Sequence, residues 1–239
     1  MLIDGRLFTI HCLTPFSRRK DTIGIQTMSE WQTVKHALNY LEKADRVPHR
    51  TAGEAVLLEE LPETVLRVLD LGSGDGRLLD LVLRARPEAV GVALDFSPPM
   101  LERLRQRFDA TGRVQVVAHD LQESLPPLGI FNVVVSSFAI HHVEHQRKRQ
   151  LYQEVWNALS ARGVFCNLEH VASASEYGHA RFLDAMGMTA DDEDPSNQLL
   201  DVQTQLGWLR EIGFADVDCY WKWRELALLV GRKTSDASA

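Results

Sequence analysis

The sequence comprises 239 residues, 45% of them apolar and 25% charged, with a formal net charge of -7 and a pI of about 5.7. This length and apolar content support one domain with a large buried core. The negative charge excludes a global positive field that would gather nucleic acid, so a nucleic-acid partner is disfavoured. No apolar run approaches the roughly 20 residues that span a bilayer, so we also expect no membrane association.

The cysteines and the basic clusters bound the function further. Cys12, Cys166 and Cys219 are widely separated and odd in number, which fits neither a disulfide framework nor a zinc site with paired ligands. We therefore expect a reducing, cytoplasmic location and no bound metal. Basic clusters at 103–107 and 147–149 lie within predicted helices, where charge is typical of a solvated face.

The N-terminal region divides near residue 28. Residues 1–27 show no sustained hydrophobic period, and we interpret them as a weakly ordered leader, with Met28 as an alternative start. Ser29 is a suitable N-cap for a helix over 31–44. Together with a second helix over 51–61, it predicts a pair of cap helices within residues 28–62.

After Pro62, apolar runs alternate with amphipathic stretches. That alternation predicts an α/β fold: a single Rossmann-like, doubly wound sheet of seven strands, mostly parallel, with helices on both faces. The predicted parallel strands are 66–71, 89–94, 114–117, 131–138 and 164–171.

The C-terminal part departs from this alternation. Residues 172–200 combine a helical stretch with an acidic, turn-forming one, which predicts a lid-like insertion. A helix over 202–214 and strands over 215–223 and 225–233 then predict a closing antiparallel hairpin. The domain is thus expected to span 28–233, followed by a flexible tail at 234–239.

The most specific motif is the run LDLGSGDGRLLDL, which joins a buried strand to the next helix. It contains Asp70, Gly72, Ser73, Gly74 and Gly76. Glycines permit the positive φ angles of a tight turn and let a ligand approach the main chain. Because ligands of open α/β sheets bind at the carboxyl ends of the strands, this loop is the predicted binding site.

The glycine spacing discriminates between cofactors. A dinucleotide fingerprint requires a small residue at position 77, and Arg77 stands there, which disfavours a nicotinamide or flavin oxidoreductase. The pattern D-x-G-x-G-x-G instead resembles motif I of the class I S-adenosylmethionine-dependent methyltransferases. The resemblance is clear over residues 64–171 and looser over the C-terminal hairpin. It implies S-adenosyl-L-methionine as the cofactor, with the five loop residues around it.

The same resemblance implies contacts at the next strand ends. Asp95 matches the acidic residue that accepts from both ribose hydroxyls, for which a carboxylate is suited because it only accepts. Phe96 is expected to cover one adenine face, and Asp120 and Leu121 match the position that recognises the exocyclic amine. Ser136 ends the fourth strand, where its hydroxyl can face the ligand. Taken singly, such residues are as typical of turns and caps.

A histidine cluster follows the fourth strand. His141 and His142 are candidates for a general base, because the unperturbed pKa of histidine lies near physiological pH, and Glu169 ends the fifth strand beside them. Packing or capping roles are equally compatible with each residue. His141 and His145 have helical spacing, but the sequence lacks the metalloprotease pattern, so we expect no metal there.

The predicted function is transfer of a methyl group by in-line displacement to a small-molecule acceptor, in a monomer or homodimer. One alternative is a carboxy-S-adenosylmethionine synthase of tRNA wobble-uridine modification, which residues 203–233 resemble. In our alignment Trp208 occupies the position of that family's carboxylate-binding arginine, which speaks against this alternative. The other alternative is a non-catalytic module that binds the cofactor.

Overall fold

The computed structural model describes residues 47–234. The predicted leader, the N-cap Ser29 and the first cap helix lie outside the described residues, as do positions 235–239. No helix in the described range is long and apolar enough to cross a membrane. Its helices and strands, in chain order, are α1 (Arg50–Glu60), β1 (Arg67–Leu71), α2 (Arg77–Ala85), β2 (Val90–Asp95), α3 (Pro98–Phe108), β3 (Val114–Ala118), β4 (Phe131–Ser137), α4 (His145–Ala158), β5 (Leu159–His170), α5 (Glu176–Met186), α6 (Val202–Ile212), β6 (Ala215–Trp223) and β7 (Leu226–Arg232).

The strands form one sheet in the order β3-β2-β1-β4-β5-β7-β6. The first five run parallel, and β7 lies antiparallel between β5 and β6, so the predicted fold class is confirmed. The strand order reverses between β1 and β4, which opens the crevice where such sheets bind ligands. β5 begins earlier than predicted, because Phe131 of β4 pairs with Leu159 before a register shift.

Alternating side chains give the sheet two apolar faces. Val68 of β1 faces one cluster, whereas Leu69 and Leu71 face the other. Helices α1, α2, α3 and α5 cover the first face, and α4 and α6 cover the second. Each fully buried leucine contributes about 1.5–3 kcal/mol. This packing fixes the carboxyl ends of β1–β4 at one rim of the sheet.

The two basic clusters differ in how far their side chains are buried. The arginines within 103–107 are exposed, as predicted. The prediction of a solvated face was wrong for Arg147 and Lys148 on α4, because both side chains are buried. Arg147 forms an ion pair with Glu154 at 2.7 Å, and Lys148 Nζ donates to the Gln198 carbonyl at 2.9 Å. These buried cations are tolerated because each has hydrogen-bond acceptors.

Candidate functional site

The glycine loop, residues 72–76, turns sharply between β1 and α2. Gly72 and Gly74 have φ angles of 67° and 57°, which side-chain-bearing residues rarely adopt. A Cβ atom at Gly72 would collide with the Cβ of Ala139, so the loop packs directly against the segment after β4. A Cβ at Gly74 would meet nothing within 4 Å. Gly74 therefore presents bare main chain to an open space.

Asp95 holds the loop in this shape from the end of β2. Its Oδ2 accepts from the Gly74 amide and its Oδ1 from the Ser97 amide, each at 2.8 Å. Burial raises the pKa of Asp95 to about 6, against the lowering effect of these amides. Each carboxylate oxygen has a second lone pair, so Asp95 retains acceptor capacity for a ligand.

A cavity of about 270 Å³ opens beside the loop. It lies at the carboxyl ends of the strands, as predicted. Several predicted cofactor residues line it: Gly72, Gly74, Asp95, Phe96, Asp120 and Leu121. Other residues of the wall carry no recognisable signal in the sequence: Ser97, Met100, His119, Gln122, Phe138, Ala139, Val143 and Ser196.

The remaining predicted cofactor residues stand behind the wall. The Ser73 hydroxyl donates to the Asp70 carbonyl at 2.9 Å, and the Ser136 hydroxyl donates to the Leu71 carbonyl at 2.8 Å. Gly76 is the N-cap of α2 and packs closely against α3. These residues support the loop and the strand ends, and direct contact between any of them and a ligand stays a prediction.

Asp70 is the least satisfied group of the site. Its side chain is buried, and neither carboxyl oxygen has a hydrogen-bond partner within residues 47–234. Burial raises its pKa to about 7. Because a buried ionised carboxylate without partners is unfavourable, this position favours a nearby cationic or hydrogen-bond-donating ligand.

Arg77 links the glycine loop to the covering helix α1. Its guanidinium donates two bonds of 2.9 Å to the buried Glu54, which also accepts from Arg50 at 3.0 Å. Arg50 in turn lies 5.5 Å above the ring of Phe138, which lines the cavity. The residue that breaks the dinucleotide fingerprint thus anchors α1 over the site.

The predicted catalytic residues occupy a turn after β4 and the end of β5. His141 and His142 lie in a 3-10 turn, Ile140–His142, with their ring centroids 4.0 Å apart. His142 lines the cavity, whereas His141 is buried and its Nδ1 lies 2.6 Å from Oε1 of the fully buried Glu169. His145 is exposed at the start of α4, away from this group.

The charges of this group differ sharply. Burial and the neighbouring His141 lower the pKa of His142 to about 3, so its imidazole is neutral at physiological pH. Burial acts to raise the pKa of Glu169, but His141 and Lys148 outweigh it and lower that pKa. The cavity therefore has a neutral imidazole in its wall and an ionised carboxylate behind it.

Sequence reasoning missed the segment that reaches His142 from the insertion. We call residues 194–198 the strap. Ser196 Oγ lies 2.9 Å from His142 Nδ1, although 54 positions separate the two residues. The sequence predicted only a turn here, because no local pattern marks a contact over that distance.

Comparisons with known proteins agree with this architecture. A family profile described as "Methyltransferase domain" matches residues 68–163. The trans-aconitate 2-methyltransferase of Methylobacterium nodulans is 34% identical over 48% of this chain and 42% of its own length. The match thus spans less than half of that relative.

Two further proteins resemble more of the chain. The carboxy-S-adenosyl-L-methionine synthase of Helicobacter hepaticus is 20% identical over 74% of this chain and 80% of its own length. The structure of human N-acetylserotonin methyltransferase in complex with SAM has a TM-score of 0.63, with 15% identity over 86% of this chain and 58% of that one. At that identity the likeness shows the fold.

Proposed function

Because this chain belongs to the class I S-adenosylmethionine-dependent methyltransferases, we propose that it transfers a methyl group to a small-molecule acceptor, with the cofactor in the cavity beside the glycine loop. The observation that carries this proposal is the pairing of Gly74 with Asp95. A side-chain-free loop faces the cavity, and a buried carboxylate bound to that loop retains acceptor capacity.

The residues present fit this cofactor on two counts. The open space at Gly74 would be filled by a Cβ atom, and the orphaned carboxyl of Asp70 lies behind the same loop. Asp95 would accept from the ribose hydroxyls, while Phe96 and Leu121 offer apolar contact and Asp120 an acceptor for the adenine amine. Asp70 would balance the ammonium of the methionine part.

The chemistry requires few groups from the protein. When bound, S-adenosylmethionine supplies a methyl group already activated on a sulfonium, which an acceptor atom takes by in-line displacement. The cavity walls orient the acceptor and exclude water. His142, one of the predicted catalytic residues, would contact the acceptor as a neutral imidazole, since its low pKa makes it a weak base. The other two act behind it, where Glu169 holds His141 against the same turn.

A carboxy-S-adenosylmethionine synthase is the second candidate, since similarity to one such protein spans most of this chain. Trp208, at the position expected for the carboxylate-binding arginine, is partly buried and packs against the apolar cluster beneath β6 and β7. It offers no bidentate contact to an anion. We therefore favour simple methyl transfer.

Mass spectrometry of the ligand that copurifies with the protein separates these candidates. We expect S-adenosylmethionine or S-adenosylhomocysteine, and a carboxylated cofactor would favour the synthase. Radiolabelled S-adenosylmethionine incubated with a panel of small molecules then tests transfer. Binding without transfer to any compound would indicate a cofactor-holding module.

The wider setting of this activity is also proposed. We infer a methyltransferase domain over 28–233 with the lid-like insertion at 172–200, acting as a monomer or homodimer in the cytoplasm. The acidic net charge disfavours nucleic acid and so supports a small-molecule partner.

A further inference from the structure

A single histidine joins the insertion to the body of the domain. His179 lies in α5, and its Nδ1 is 3.0 Å from Glu225 Oε1. Its Nε2 is 3.2 Å from Glu193 Oε2. Glu225 belongs to the turn between β6 and β7, whereas Glu193 directly precedes the strap. The imidazole ring therefore bridges two acidic side chains that are far apart in the sequence.

Proton counting gives the charge of this bridge. An ionised carboxylate only accepts hydrogen bonds, so each ring nitrogen of His179 must carry a hydrogen to bond both neighbours. A ring with two N–H groups is an imidazolium. Burial acts to lower the pKa of His179, but Glu225 and Glu193 outweigh it and raise that pKa above its ordinary value of 6.5. The protonated ring thus forms an ion pair on each side.

The two carboxylates are held unequally. Glu225 is fully buried and also lies 3.1 Å from His170 Nε2, at the end of β5. The side chains of Glu193 and His179 are 26% and 34% exposed. Because a buried carboxylate without a donor is the more unfavourable of the two, a neutral His179 keeps its one hydrogen on Nδ1 for Glu225. Nε2 then turns a lone pair towards the carboxylate of Glu193, and that contact is lost.

The bridge lies next to a wall of the cavity. The strap follows Glu193 directly, and its Ser196 lines the cavity. On its C-terminal side the strap is held from within the protein, because the Gln198 carbonyl accepts from the fully buried Lys148 at 2.9 Å. The Gln198 amide also donates to the His141 carbonyl at 2.7 Å. On the N-terminal side the anchor is the partly exposed imidazolium, whose charge the pH of the solution sets.

We propose that His179 is a pH-dependent latch for the insertion: as an imidazolium it holds Glu193, and with it the N-terminal end of the strap, against the turn between β6 and β7, and loss of its proton releases that end. The latch is closed at low pH and opens as pH rises through the raised pKa of His179. Because the strap forms part of the cavity wall, the open state should bind a ligand there less tightly. The effect on ligand binding rests on the proposed function.

Hydrogen exchange of the full chain, from about pH 6 to about pH 9 and corrected for the intrinsic pH dependence of exchange, tests the latch without any ligand. The amides of Asp192, Glu193 and Asn197 are hydrogen-bonded in the strap and the turn before it. We expect their protection in the wild type to fall about fivefold over this range, the factor that one partly exposed ion pair supports. Glu193→Ala should show the low protection at every pH.

Two further variants complete this experiment. Asp191→Ala removes a nearby exposed carboxylate and is the matched control, which should follow the wild-type profile. In Glu193→Gln the amide can accept from a protonated ring or donate to a neutral one, so protection should no longer change with pH. Circular dichroism establishes that each variant is folded.

An NMR titration of the histidine rings identifies the group responsible. The chain has nine histidines, so the His179→Gln variant assigns the ring by its lost signals. The midpoint of the wild-type exchange profile should coincide with the titration of His179. A profile without pH dependence, a midpoint away from that titration, or an unchanged pH dependence in Glu193→Ala would overturn the proposal.

Calorimetric titration with S-adenosylhomocysteine extends the test to the cavity. At about pH 6 the wild type should bind about fivefold more tightly than Glu193→Ala, and at about pH 9 the two affinities should converge. Asp70 and Asp95, with pKa values of about 7 and about 6, are present in both proteins, so the ratio of affinities isolates the latch. Equal affinities at low pH would contradict an effect of the latch on the cavity. Absent binding by the wild type would instead count against the proposed function, and the exchange profiles would still decide on the latch.

Discussion

The two sides of the cavity are built in different ways. The side at the ends of β1 and β2 is held by main chain: the glycine loop, its contact with Ala139 and its bond to Asp95. The side at the ends of β4 and β5 is held by side chains, in which His142 and Glu169 depend on partners from distant elements.

This difference separates two tasks. A ligand common to many proteins can be bound by a compact sequence motif, because its contacts come from one loop and the next strand end. An acceptor pocket needs groups from several elements, whose protonation states depend on burial and neighbours. Substitutions on the two sides should therefore have different effects on stability and on ligand binding.

The largest effect is expected at Gly72. A valine at this position would collide with Ala139 and would have to adopt a positive φ angle. Gly72→Val should therefore lower the free energy of unfolding by about 4 kcal/mol. Gly74→Ala is the matched variant, since its Cβ enters open space. It should cost only about 1 kcal/mol of stability yet weaken cofactor binding. Urea unfolding and calorimetry measure the two effects, and equal stability losses would contradict the comparison.

Glu54 tests the support beneath the glycine loop. Glu54→Ala leaves the guanidinium groups of Arg50 and Arg77 without this shared acceptor. The free energy of unfolding should fall by about 3 kcal/mol, less than for a fully buried pair because Arg77 is partly exposed. Removal of the exposed Glu63, by Glu63→Ala, serves as the control in urea unfolding. A change below about 1 kcal/mol would show that α1 is held by other contacts.

Asp70 gives a pH-dependent change in the free energy of unfolding. Its pKa is about 7 in the folded protein against an ordinary value of 3.8, so the folded state holds the proton more tightly. Stability of the ligand-free protein should therefore fall as pH rises between these two values, and Asp70→Asn should remove this part of the fall. Urea unfolding across that range measures both profiles.

Asp95 contributes in the same direction, with a pKa of about 6, and should leave a residual slope in the Asp70→Asn variant. Parallel profiles for wild type and Asp70→Asn would show that Asp70 has partners in the folded chain. In that case the proposed role beside a cationic ligand group would lose its basis.

The smallest effect concerns adjacent cations on α4. Lys148→Met removes the donor to the strap and should lower stability by about 1–2 kcal/mol. Arg149→Met removes an exposed ion pair with Glu211 and should cost less than about 1 kcal/mol. Thermal unfolding compares them. Equal losses of stability in the two variants would show that the buried Lys148 contributes no more than the exposed Arg149.

The difference between the two sides of the cavity also determines which structural features can be predicted from the sequence. The strands and the glycine loop follow from local patterns, since hydrophobic alternation marks each strand and the D-x-G-x-G-x-G spacing marks the turn. Asp95 was identifiable for the same reason, because it directly follows an apolar run. These features depend on neighbours in the sequence.

The other side of the cavity escaped prediction because its contacts are remote. Lys148 has the pattern of an exposed helix residue, yet its acceptor lies 50 positions away. Ser196 stands in an acidic, turn-forming stretch that contains no sign of His142. Only the packing of the insertion against α4 and the turn after β4 brings these groups together.

We propose that the cavity lined by Gly74 and Asp95 holds the cofactor, and titration calorimetry with S-adenosylhomocysteine measures that binding directly. We expect saturable one-to-one binding by the wild type, loss of that binding in Asp95→Ala, and no change in the control Asp191→Ala at an exposed position of the insertion. No binding by a folded wild type, or equal affinity in Asp95→Ala, would contradict it.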